Sequence, residues 1–244
     1  MTAPAPAPGR LDSLRDLVAS YARHDPVRTI AVVGNAPLVP SDARADAVDA
    51  CDLVVRVNSF TVDEPGAPRA AGRRTDVVLW SRLVRATRRL YDDYSSRLYV
   101  MLEPMRMYHR PEVWPTSWPA DLGFVAAPND LVARPLLEEL GLPWREERLA
   151  PTSGTTAAWL ARRLFPEADL LVTGLSYVDV TDPQQWDYQS GATGKIGPEH
   201  RVAAEGAMLR RWIEEGSVRF WPTDSADQQA DQQADQQADE QEER

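Results

Sequence analysis

A single cysteine, Cys51, stands in 244 residues, so no disulfide can form within the chain. That suits a reducing compartment, and a cytoplasmic location is the expectation. No apolar run approaches the roughly 18–20 residues that a membrane span needs. The opening MTAPAPAPGR has neither the charged region nor the apolar core of a secretory signal, and residues 1–9 are expected to be a flexible leader. Basic residues are outnumbered, 27 Lys and Arg against 37 Asp and Glu, for a net charge of −10. Seven acids and one arginine put −6 of this in residues 225–244 and leave −4 on the rest. An acidic body lacks the electrostatic footprint of a nucleic-acid binder. No GxGxxG or GxxxxGK[ST] fingerprint is present. No DxD motif or His/Cys cluster ends a strand-like segment, so no metal site is expected.

What is present is a chain that is 43% hydrophobic, in short runs. Strand-like runs at 28–33, 52–57, 75–80, 97–102, 123–127, 168–174 and 217–221 alternate with helix-like spacing at 11–23, 41–50, 82–94, 130–140, 153–165 and 198–215. Such alternation predicts an α/β fold: a Rossmann-like, mainly parallel sheet with helices on both faces. One domain over 10–224 is expected, followed by an ADQQ-repeat tail, 225–244, with too little apolar surface to fold alone. Ligands of such sheets sit at the carboxyl ends of the strands. Two long loops, 109–123 and 174–197, interrupt the alternation, and loops of this length are often binding loops.

Four stretches carry candidate chemistry. IAVVGNAP (30–37) and CDLVVRVNS (51–59) place Gly34-Asn35 and Asn58 at strand ends. An asparagine amide can hold a phosphate oxygen or a base edge, though asparagine also favours turns. AGRRTD (71–76) contains Arg74, a candidate for an anion contact or a plain structural role. PTSGTTAAW (151–159) opens a helix with Thr152, Ser153, Gly154 and Thr155, where free amides and hydroxyls could hold an anion or where Thr152 or Ser153 simply caps the helix. GPEHRVAAEG (197–206) places His200 in the first turn of a predicted helix, which favours a neutral imidazole able to act as a base. Gly174, past the sixth strand, joins the strand-end group.

In this order the four stretches resemble the sialyltransferases, glycosyltransferase family 29. IAVVGN and CDLVVRVN are similar to that family's large motif, AGRRT to the segment that follows it, and PTSG to the small motif. His200 and Glu205 fit its H-x4-E motif, and WDYQ (186–189) is a faint counterpart of a further motif, with Tyr188 in it and the family's histidine absent. The resemblance spans about residues 28–215. It implies a GT-A-like variant with a single nucleotide-binding domain, which transfers sialic acid or a related keto sugar from a CMP-activated donor to an acceptor hydroxyl, with inversion, no metal and no cofactor beyond the donor. His200 would be the catalytic base. Gly34, Asn35, Asn58, Thr152, Ser153, Gly154, Thr155 and Gly174 would bind the donor. Arg74, Tyr188 and Glu205 would be anion-binding or structural. The family's secreted members join the large and small motifs by a disulfide, and the matching positions here are Ile30 and Phe165, where packing would replace the bridge. A nucleotide-sugar-binding protein without transfer, and a CMP-sugar hydrolase, remain as alternatives.

Overall fold

In a computed structural model the described residues are 9–81, 87–102, 118–180, 183 and 185–223. The leader up to residue 8, the acidic tail, the predicted helix start at 82–86 and most of the 109–123 loop, His109 included, lie outside them.

Seven parallel strands form one sheet: β1 (Thr29–Val33), β2 (Leu53–Val57), β3 (Val77–Ser81), β4 (Leu98–Leu102), β5 (Val125–Ala127), β6 (Asp169–Thr173) and β9 (Arg219–Trp221). Their spatial order is β5-β4-β3-β2-β1-β6-β9. The central strands are mostly apolar on both sides because both sides are covered, with Arg56 on β2 and Thr173 on β6 as buried polar exceptions. On one face Ile30, Val32, Leu53, Val55, Val77, Leu79, Leu98 and Val100 share a core with helix α5 (Ser153–Leu164) and helix α7 (Val202–Glu214). The intervening residues face the other way. Ala31, Val33 and Val54 pack under α2 (Asp42–Ala50), and Val78, Trp80, Tyr99 and Met101 gather with Leu90 of the short helix α3 (Arg88–Tyr91). This is the Rossmann-like α/β architecture that the alternation predicts. Ile30 and Phe165 both belong to the first core, Ile30 only 1% exposed.

The remaining helices are α1 (Gly9–Ala19), α4 (Ala133–Glu139) and the one-turn α6 (Ser176–Asp179). The predicted helix at 198–215 starts late, at Val202 with Arg201 as its cap. His200 N donates to Gly197 O at 3.1 Å, so a turn fills the space where a first helical turn was predicted. The long polar loop is also more ordered than its composition predicts. It holds α6 and an antiparallel hairpin, β7 (Gln185–Asp187) and β8 (Thr193–Lys195). Among the described residues no helix is long and apolar enough to cross a membrane.

The topology decides where a ligand can sit. From β1 the chain moves outward through β2, β3, β4 and β5, then returns to place β6 on the other side of β1. The loops after β1 and β6 therefore diverge, which opens a crevice at the switch point. Those two loops touch at a pair of glycines. Gly34 N donates to Thr173 O at 2.8 Å, and Ala36 N to Gly174 O at 3.0 Å. A Cβ at Gly34 would fall on the Gly174 carbonyl, and Gly174 has φ +71, so neither position accommodates a side chain cheaply.

Candidate functional site

A cavity of about 540 Å³ opens at the carboxyl ends of β1, β2 and β6. Asn35, Asn58, Thr152, Ser153, Gly154, Gly174, Tyr188 and His200 line it together, although they come from six separate parts of the chain. Gly34, Thr155 and Glu205 stand behind the wall, and Arg74 lies elsewhere.

The two asparagines are fixed differently. Asn58 has a left-handed backbone, φ 50. Its Nδ2 donates to Ser153 Oγ at 3.0 Å and its Oδ1 accepts from Ser81 N at 3.0 Å, so one amide ties the ends of β2 and β3 to the start of α5. Asn35 Nδ2 donates to Val57 O at 2.8 Å. Its Oδ1 is buried with no hydrogen-bond partner among the described residues.

The start of α5 is held from beneath by buried polar groups. Thr152 is its N-cap, and its Oγ1 accepts from Thr155 N. The same oxygen donates to Glu205 Oε2 at 2.7 Å and lies 2.9 Å from the Tyr177 hydroxyl and 3.0 Å from Thr155 Oγ1. Thr152 N donates to Glu205 Oε2 at 2.9 Å. Burial, with the Glu205 charge beside it, pushes the Tyr177 phenol far up, so it stays a neutral donor. The Thr152 and Thr155 hydroxyls are thus engaged in this buried network, as the capping alternative has it for Thr152. Gly154 is required because a Cβ there would meet Leu175 and the Tyr177 hydroxyl. The amides of Ser153 and Gly154 have no partner among the described residues, and they stand at the positive end of a 12-residue helix. Glu205 has a defined place too: with His200 outside the helix, it does not stack under the imidazole but reaches across to the cap of α5.

Arg74 is structural. It donates to the backbone oxygens of Asp49, Cys51 and Asp52 and pairs with Asp76 at 2.7 Å. Of the two alternatives the hydrogen bonds favour the structural one, since both terminal nitrogens of the guanidinium are engaged away from the cavity.

His200 Nδ1 lies 2.8 Å from Ala150 O. A carbonyl only accepts, so Nδ1 carries the proton and the Nε2 lone pair has no hydrogen bond among the described residues. The ring meets Trp186 edge-on, centroids 6.3 Å apart, and Trp186 meets Tyr177 in the same way at 5.9 Å. The β7–β8 hairpin is docked at its tip: Gln189 N donates to Asn35 O at 2.7 Å, and Leu38 N to Gln189 Oε1 at 2.5 Å. Tyr188 is half-buried on this wall, and burial raises its phenol pKa. Among the described residues no group of three His, Cys, Asp or Glu converges as metal ligands. Sequence reasoning missed Arg148, Glu199, Tyr177 and Gln189 as parts of this site or its supports. Only Glu199 had a local signal, the glycine two residues before it.

With that cavity described, comparison with solved structures has a bearing. The chain is similar to the crystal structure of a mammalian sialyltransferase in complex with Gal-β-1,3-GalNAc-ortho-nitrophenol: TM-score 0.55, 14% identity, over 88% of this chain and 74% of that one. The fold is sialyltransferase-like. A second crystal structure of a mammalian sialyltransferase aligns at TM-score 0.48 and 13% identity, over 88% of this chain and 80% of that one. No protein-family model and no curated protein sequence matches. On the sialyltransferase-like fold of this chain, the loops that bear Asn35, Asn58, PTSG, Tyr188 and His200 meet at the β1–β6 crevice, and the AGRRT loop does not.

Proposed function

We propose that the chain is an inverting, metal-independent glycosyltransferase that works in the cytoplasm and moves sialic acid or a related keto sugar from a CMP-activated donor to an acceptor hydroxyl. One observation carries this reading: His200, with Nδ1–H held by a carbonyl and Nε2 free, shares a cavity with the open N-terminus of α5. The acceptor O–H gives its proton to His200 Nε2 as the oxygen attacks the anomeric carbon. The bond from that carbon to the phosphate oxygen breaks, and its electron pair leaves on CMP. The Ser153 and Gly154 amides meet the growing negative charge, and the Tyr188 hydroxyl donates from the hairpin wall. Asn35 Oδ1, orphaned when empty, takes a hydrogen bond from an amino or hydroxyl group of the nucleoside.

The test is CMP release from CMP-sialic acid, with and without Gal-β-1,3-GalNAc as a first acceptor. The His200→Ala variant should lose transfer by ~10²–10⁴-fold. CMP binding, followed by calorimetry, should persist. Loss of CMP binding in that variant overturns the base assignment. Release that ignores acceptors makes the protein a hydrolase, and binding without release makes it a non-catalytic nucleotide-sugar binder.

A further inference from the structure

Glu199 stands beside the base, and the reaction as written leaves it without a role. It lines the cavity, and its Oε1 lies 3.8 Å from His200 Nε2. That is too long for a direct hydrogen bond. The carboxylate lies over Gly197: a Cβ there would overlap its carbon and both oxygens, so a side chain at 197 would displace it from beside the imidazole. The backbone beneath is pinned, with Ala150 N donating to Glu199 O at 3.0 Å. No lysine or arginine pairs with this carboxylate among the described residues.

Two acceptors therefore face the cavity side by side, the Nε2 lone pair and a carboxylate oxygen. A single hydroxyl has one proton and satisfies only one of them. Two neighbouring hydroxyls satisfy both. A bare negative charge also repels the donor phosphate, which places this corner on the acceptor side.

We propose that Glu199 is an acceptor-binding residue that selects sugars with a vicinal diol. One hydroxyl donates to His200 Nε2, and its neighbour donates to the Glu199 carboxylate. The name given to the reacting hydroxyl rests on the glycosyl-transfer reading above; the diol preference itself is a binding property.

The experiment is a saturation-transfer NMR titration of the full chain with methyl β-galactoside and with its 2-, 3- and 4-deoxy forms, without donor and again with CMP. Wild type should bind the parent at least about tenfold tighter than one of the deoxy forms. Glu199→Ala should bring that ratio to near one. Gly197→Ala should do the same with Glu199 still in the chain, because it evicts the carboxylate from its place. Circular dichroism checks each variant's fold, and if either is unfolded Glu199→Gln replaces it, with a ratio smaller than wild type expected. Equal binding of parent and deoxy forms by wild type overturns the proposal, as does no binding of any glycoside or a ratio that survives Glu199→Ala. The donor-free arm keeps the two readings apart. Failed CMP binding with an intact diol preference sinks only the donor assignment, and intact CMP-dependent transfer with no diol preference sinks only Glu199.

Discussion

Arg56 lies on the central strand β2 with none of its surface exposed, and it is where the residue scale is clearest. Burial pulls its guanidinium pKa down to about 10, so it stays charged at neutral pH. It donates to the backbone oxygens of Arg74, Ala71 and Gly72, which shapes the AGRRT loop from inside. Asp63 completes the clamp by accepting from the amides of Ala70, Ala71 and Gly72. The loop that the sequence offered as candidate chemistry is thus held from inside by Arg56, and it does not line the cavity. A second buried charge carries a pH prediction. Burial alone would raise Asp52, yet hydrogen bonds from His24 and from the amides of Arg28 and Thr29 outweigh it and hold the carboxyl at about 2. A carboxyl depressed in the folded state stabilises above its unfolded value near 4, and that contribution fades as pH falls toward 2. It should amount to roughly 1–2 kcal/mol. Urea melts between pH 2 and 5 should show wild type losing stability over this window and Asp52→Asn losing less; parallel curves would refute the assignment.

At the scale of elements, the decisive contact is the glycine pair that joins the loops after β1 and β6. Gly34→Ala should force those strand ends apart and cost about 3 kcal/mol or more in a chemical melt. An unchanged midpoint would mean that the close approach is not needed. Helix α5 earns its position from below and from the front: Trp159 is 1% exposed and donates to Glu139 Oε2 at 2.7 Å, while the Thr152–Glu205 contact holds its first turn. The strands were legible because a doubly covered sheet demands unbroken apolar runs. Helix α5 was legible because PTSG is a start signal and the apolar spacing continues behind it. The β7–β8 hairpin was not. Its strands are three residues long, too short for their alternation to stand out, and it is held by Gln189 from the tip and Trp186 from the base.

For the molecule as a whole, strand order converts scattered loops into one cavity. The switch between β1 and β6 draws Asn35, Asn58, Ser153 and His200 to one place, and a nucleotide bound there should stabilise the native state. At a hundred times its dissociation constant CMP should add about 2.7 kcal/mol. A thermal-shift series over the common nucleotides reads this directly. The melting point should rise most with CMP, and a larger rise with a uridine or adenosine nucleotide would replace the donor proposed here.

Residue types and their spacing were enough to determine the alternating fold, the strand-end asparagines, the helix start at PTSG and the place of His200 just before the last long helix. Local sequence carries these because apolar period, capping and turn chemistry act over a few residues. Which polar groups stay free was decided only by the folded chain. The Thr152 hydroxyl and Arg74 are consumed by partners 53 and up to 25 residues away, while His200 and Glu199 line the cavity and Asn35 Oδ1 is buried without a partner among the described residues. Hydrogen bonds across such separations depend on how strands are ordered in space, and no window of sequence contains that order.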